Sequence, residues 1–319
     1  MEGNVIMKMA FIFPGQGSQY VGMGKDIAEK FNDAMEIYNM SNEILGFDIK
    51  KLCFEGPETE LIRMEISQSA ILTTSIAILK VVKNFGIIPQ MMAGLSLGEF
   101  TALVASGSIS FADMLKFLGR RREYMLKAFS KTSLKGGMAA IIGLSKETIV
   151  DCIKECSQYG IVDIANYNSL EQIVITGELS AVKKTAILCK NKGANRVAIL
   201  PFILPFHSRL LEGAKFDLYK DLSGIKINEP LVPVVSNFSA NKMKRELIPQ
   251  LITKQMYNCV KWVDCINYMI SQEINTFIEI GPKNTLSKFV SQINPTVNIY
   301  NVEDIYTLNK LIEKDKMGW

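Results

Sequence analysis

The sequence predicts an α/β protein whose large domain, built on a mainly parallel sheet, is interrupted by a small β-α-β-β-α-β domain. Three observations lead there. Short apolar runs such as 9–13 and 276–280 end in Gly or Pro and alternate with long helical patterns, as parallel strands and their crossover helices do. Between 138 and 200 the pattern changes to strand, helix, strand, strand, helix, strand. That stretch is bracketed by a polar, glycine-ended segment at 130–137 and by Pro201 and Pro205, after which the first pattern resumes. The expected domains are 1–132 and 204–319 for the large one and 133–203 for the insert.

Each element has its reason. Residues 9–13 are a buried strand entering the tight turn Pro14-Gly15-Gln16-Gly17-Ser18. The nearby glycines do not form a phosphate loop. No G-x-G-x-x-G occurs, and Gly24-Lys25 lacks the upstream glycine and the following Ser or Thr of a Walker motif. A long apolar helix at 66–85 precedes a short strand at 89–93 and a helix at 99–105, and a further helix covers 111–129. In the insert, strands are expected at 138–144, 161–165, 172–176 and 195–200, with helices at 145–157 and 178–192. Afterwards come a helix following His207, a strand around 231–236, helices near 246–255 and 263–272, and a strand at 276–280. The tail 313–319 is mostly polar and expected to fray.

Composition narrows the function class. Of 319 residues, 48% are apolar and 21% charged, which is a globular balance rather than a disordered one. A net charge of +4 without runs of like charge gives no sign of nucleic-acid binding; it suits an acidic protein partner or a phosphate-bearing substrate. The six cysteines form no CxxC pair, and with one histidine in the chain no metal site is expected. They read as buried reduced thiols, pointing to the cytoplasm. The start, 1–7, has no cationic segment followed by an apolar core, so no signal peptide is expected, and no apolar run reads as long enough to cross a bilayer.

The chemistry centres on Gly94-Leu95-Ser96-Leu97-Gly98, placed between a strand and a helix. Gly-x-Ser-x-Gly in that context is a nucleophile elbow, an α/β-hydrolase-like feature. The turn strains the serine backbone, the glycines let elements approach closely, and the helix N-terminus favours a developing negative charge. A serine hydroxyl needs a base, and His207 is the one imidazole available. It lies in the proline-stiffened stretch Leu204-Pro205-Phe206-His207-Ser208. More than a third of the chain follows it, which fits a simple hydrolase poorly, so the class of serine enzyme stays open at this point. On the 111–129 helix, a 100° step puts Met114, Leu115, Phe117, Leu118, Met125 and Phe129 in one stripe. Arg121 falls inside it, Arg122 at its edge and Arg120 outside. A core-facing arginine needs an anion: either a structural carboxylate or the carboxylate of a substrate.

These motifs together resemble one family over nearly the whole chain: the malonyl-CoA:acyl carrier protein transacylases of fatty acid synthesis and the related acyltransferase domains of polyketide synthases. The likeness rests on Phe13–Gln19, Gly94–Phe100, Arg121 and its helix, Asn166–Ser169, His207, Gln255–Asn258 and Glu279–Pro282. It implies an α/β-hydrolase-like large domain with a ferredoxin-like insert, and a cleft between them. It also implies roles: Ser96 as the acylated nucleophile, His207 as base and then acid, the Gln255 carbonyl orienting the imidazole, and the Gln16 and Leu97 amides as oxyanion hole. Arg121 would hold the malonyl carboxylate, and Asn166 matches a position near the cleft. The implied partners are malonyl-CoA and holo acyl carrier protein, with no cofactor, a monomeric state, no nucleic acid and no membrane. The implied reaction is ping-pong transfer through a malonyl-serine ester. Alternatives are a discrete acyltransferase serving a polyketide synthase, a serine esterase or thioesterase, and a scaffold that binds carrier protein. Three positions depart from the family pattern: Leu95 stands for a usual histidine, Cys259 for a usual proline, and Phe206 follows the malonyl-selective polyketide enzymes.

Overall fold

The computed structural model describes residues 7–316; 1–6 and 317–319, which hold most of the start and the end of the tail discussed above, lie outside the described residues. Two four-stranded sheets organise the chain. The first consists of β1 (Met9–Phe13), β2 (Met91–Gly94), β7 (Thr276–Ile280) and β8 (Asn298–Val302), in the order β2-β1-β7-β8, and every pairing is parallel. Both faces are covered, so β1 is buried at all five positions. Phe11 and Phe13 face the larger core, with the helices Met64–Asn84, Leu97–Ala105 and Phe111–Ser130. Ala10 and Ile12 face a second core closed by Trp262–Ser271 and Thr285–Ile293.

The second sheet is antiparallel throughout. Its strands β3 (Gly136–Ile142), β4 (Val162–Tyr167), β5 (Gln172–Glu178) and β6 (Arg196–Leu200) lie in the order β4-β5-β3-β6. The period-2 rule separates its faces. Ala139 and Ile141 pack with Ile149, Cys152, Val182 and Ala186 of the helices Lys146–Glu155 and Leu179–Asn191, whereas Met138, Ala140 and Val174 join the large core. The sheet is tied to the rest of the chain at its edge. Tyr167 N donates to Val260 O at 3.0 Å, and Val260 N donates to Ala165 O at 2.8 Å.

Several expectations need correction. The strand expected around 231–236 is reduced to single bridges, Met92 with Val234 and Val235 with Lys242, because Pro230 and Pro233 withhold donors from any longer ladder. The glycines of the expected linker open β3 instead. A Cβ on Gly136 would sit 2.6 Å from Ile203 O, and one on Gly137 would sit 2.6 Å from the Leu179 side chain. The helix after His207 starts as a 3-10 segment, Arg209–Ala214, before Lys215–Ser223. The first part of the tail belongs to the helix Ile305–Lys316, anchored by Leu308 and Leu311. Finally, Met64–Asn84 is long and apolar enough to cross a bilayer by length and composition, yet 83% of its apolar window is buried inside the protein. It is a core helix.

Candidate active site

The site forms where the parallel strands end, the usual place for ligands in such sheets. β2 ends at Gly94 and β1 at Phe13, and Leu95 N donates to Phe13 O at 3.1 Å, bringing the two exits together. The glycines of the pentapeptide are steric requirements. A Cβ on Gly94 would lie 2.0 Å from the Gly98 carbonyl, and one on Gly98 would lie 2.0 Å from Phe13 O. Between them Ser96 adopts φ 52°, ψ −102°, a conformation that costs a side-chain-bearing residue about 1–3 kcal/mol and must be held by its surroundings. Ser96 caps the helix Leu97–Ala105, so Leu97 opens that helix among its free amides.

His207 is 3% exposed and also has a positive φ, 62°. Its Nε2 lies 2.7 Å from Ser96 Oγ, and its Nδ1 lies 2.8 Å from Gln255 O. A carbonyl can only accept, so Nδ1 carries the proton and Nε2 is left free to accept from the serine hydroxyl. Burial first, and the Arg121 charge second among the lowering influences, push the imidazole down to about 4; the Gln255 carbonyl acts the other way. The ring is therefore neutral at pH 7, as a base must be.

Arg121 is 2% exposed and has no carboxylate partner among the described residues. Its Nη1 donates to Gln68 Oε1 at 2.9 Å, its Nε lies 2.9 Å from Met256 Sδ, and its guanidinium stacks 4.9 Å from the Phe100 ring centre. Burial lowers its pKa to about 9, and it keeps its charge at neutral pH. Of the two anions open to it, the structural carboxylate is not found among the described residues. Arg120 pairs with Asp221 on the outer flank, and Arg122 lies 3.6 Å from Glu65.

One cavity of about 420 Å³ gathers Gln16, Ser96, Leu97, Arg121, Asn166 and His207. Its walls include Met138, Ala140 and Val174 from the inner face of the second sheet, along with Phe202, Phe206 and Phe289. Asn166 reaches it from β4, where the register against β5 shifts between Ile164 and Asn166. Gln255 stands apart: it does not line the cavity but lies behind His207, fully buried. Leu95 also lines the cavity and makes its wall more apolar. Gln68, Glu99 and Asn237 were not anticipated as site residues. Gln68 links Arg121 to the Gln16 side chain, at 2.9 and 3.2 Å. It sits in the apolar helix Met64–Asn84, and a buried glutamine inside such a run was the available signal.

Residues 10–312 match the family described as the acyl transferase domain. The malonyl CoA-acyl carrier protein transacylase of Bacillus subtilis is 38% identical over 308 residues, covering 96% of each chain. Among solved structures, the malonyl CoA-acyl carrier protein transacylase of Clostridium perfringens superimposes with a TM-score of 0.91 at 40% identity, over 97% of this chain and 98% of that one. A malonyl-transacylase in complex with its type II PKS acyl-carrier protein gives 0.92 at 35% identity, over 96% and 99%. The chain belongs to the acyl transferase family, alongside the malonyl CoA-acyl carrier protein transacylases.

Proposed function

We propose that this protein transfers a malonyl group from malonyl-CoA to the phosphopantetheine thiol of an acyl carrier protein, through a malonyl ester on Ser96. The observation that carries this reading is that Ser96 and His207, hydrogen-bonded to each other with Gln255 O behind the imidazole, open into the same cavity as a buried arginine with no carboxylate partner among the described residues. Ser96 Oγ attacks the thioester carbonyl as its proton passes to His207 Nε2. The Gln255 carbonyl supports the imidazolium that forms. The Gln16 and Leu97 amides face the tetrahedral oxyanion, and coenzyme A leaves with the proton from His207. The carrier thiol then gives its proton to the same nitrogen and attacks the ester, and the imidazolium returns that proton to Ser96 Oγ as the acyl–oxygen bond breaks, which regenerates Ser96. Arg121 binds the malonyl carboxylate, and an acyl group without one leaves that charge buried and unpaired, which disfavours acetyl-CoA. Asn166 contributes to the cavity wall on the substrate side.

The same reading takes the protein as a cytoplasmic monomer that needs no cofactor, since these side chains and amides serve every bond made and broken. It takes 1–132 and 204–319 as an α/β-hydrolase-like domain and 133–203 as a ferredoxin-like insert, supported by the antiparallel order β4-β5-β3-β6. The test is intact-protein mass spectrometry after mixing with malonyl-CoA, then with holo acyl carrier protein. A malonyl adduct absent in Ser96→Ala and cleared onto the carrier is expected. An adduct lost to water at the same rate with or without the carrier would make the protein an esterase.

A further inference from the structure

Four hydrogen bonds, two of them buried and two part-buried, tie Asn237 and the Gln255 side chain to the elbow and to Glu99 beside it; of Gln255, only the backbone carbonyl takes part in the transfer itself. Asn237 Oδ1 accepts from Ser96 N at 2.7 Å, and Asn237 Nδ2 donates to Gly94 O at 2.8 Å. Asn237 N donates to Glu99 Oε1 at 2.7 Å, and Gln255 Nε2 donates to Ser96 O at 2.8 Å. Asn237, Glu99 and Gln255 are each 0% exposed. A single amide side chain thus spans the peptide groups on either side of Leu95, while the strained Ser96 backbone is gripped at both its N–H and its carbonyl.

We propose that Asn237, itself held by Glu99, is a positioning residue: it keeps the elbow in its strained form so that Ser96 Oγ stays within reach of His207 Nε2. The inference rests on Ser96 being the nucleophile. The protonation state of Glu99 follows from its surroundings. Its Oε2 and the Gln255 Oε1 are buried oxygens without a partner among the described residues, and the Gln255 amide lies beside the Glu99 carboxyl. Asn237, Ser236 and Gln255 face the carboxyl with neutral dipoles, and the Cys265 thiol from the helix Trp262–Ser271 is the titratable group that its charge reaches. Burial raises the carboxyl to about 8. The hydrogen bonds from Asn237 N and from the Gln255 and Ser236 side chains favour the ionised form, burial outweighs them, and the acid is protonated at neutral pH. Ionisation would leave a buried charge on Oε2, an oxygen without a partner among the described residues, and the cost of that charge loosens the clamp.

Single-turnover acylation of the full chain by malonyl-CoA, followed by intact mass from pH 6 to 9.5, tests this. Asn237→Ala is expected to slow acylation at least thirtyfold while the malonyl-CoA concentration for half-maximal rate moves less than threefold. The wild-type rate should fall as pH rises through about 8. Glu99→Gln, an isosteric neutral donor, should lose two- to threefold at pH 7 and lack that fall. Wild-type acylation in Asn237→Ala would overturn the proposal, as would an unchanged alkaline fall in Glu99→Gln. The second outcome decides the matter where Asn237→Ala does not fold. Malonyl uptake by Ser96→Ala would instead remove the nucleophile reading on which the proposal stands, and the clamp with it.

Discussion

Arg120 and Arg121 are neighbours on one helix, and their environments differ in every respect that matters. Arg120 holds Asp221 through two hydrogen bonds of 2.7 and 2.9 Å, on a flank where its side chain is 41% exposed. Arg121 is buried against Gln68, Met256 and Phe100, with no charged partner among the described residues. A protein under no functional demand would place a hydrocarbon where Arg121 stands, since burying an unpaired charge costs several kcal/mol. The pair teaches that an arginine satisfied within the fold belongs to the fold, while one left without its anion inside a cavity is kept for a ligand.

The sharpest way to break that comparison is Arg121→Met, which preserves much of the volume and removes the charge. Its kcat/KM for malonyl-CoA should fall by two to three orders of magnitude, while acetyl transfer changes little. Equal losses for both donors would return Arg121 to a structural role. The same variant should be more stable than the parent, by about 1–3 kcal/mol in urea denaturation, because replacing a buried charge by a well-packed apolar side chain is often stabilising. A clear loss of stability would mean that Gln68 and Met256 already satisfy the guanidinium.

His207 sharpens the comparison from the side of pH. Burial depresses its pKa to about 4, below the ordinary histidine value of 6.5. Between those values the unfolded chain binds the proton and the folded chain does not, so stability falls as pH drops from about 6.5 to about 4. The contribution is about 3 kcal/mol. Urea melts of His207→Gln should lack this part of the acid dependence, and a parallel pH profile in the variant would show that His207 is not the group responsible.

Much of this was legible in the sequence, for identifiable reasons. The elbow announces itself because two glycines are sterically obligatory at fixed spacing around the serine, and Arg121 because a charge on a 3.6-period apolar stripe is an anomaly. The order strand, helix, strand, strand, helix, strand between 136 and 200 was legible because that pattern departs from the one on either side of it. The network beneath the elbow was not. Glu99 and Asn237 are separated by 138 positions and joined by one hydrogen bond, and no local pattern signals a pairing made by the tertiary fold. The segment around 231–236 misled for the opposite reason: its apolar pattern reads as a strand, and Pro230 and Pro233 leave it only isolated bridges.

The smallest expected effect lies at the other arginine. The Arg120–Asp221 pair has good bidentate geometry, but Arg120 is more than one-third exposed and water screens the pair, so Arg120→Ala should cost under about 1 kcal/mol. Because Asp221 is only 14% exposed, removing Arg120 leaves a half-buried carboxylate, and a double-mutant cycle with Asp221→Asn is needed to separate the pair from that penalty. The coupling should shrink in 1 M salt. Malonyl-CoA kinetics should be unchanged, since Arg120 lies outside the cavity. If Arg120→Ala instead lowered malonyl transfer tenfold with its stability intact, the outer pair would be setting the rotation of the helix that aims Arg121. The two arginines would then be one device rather than a contrast.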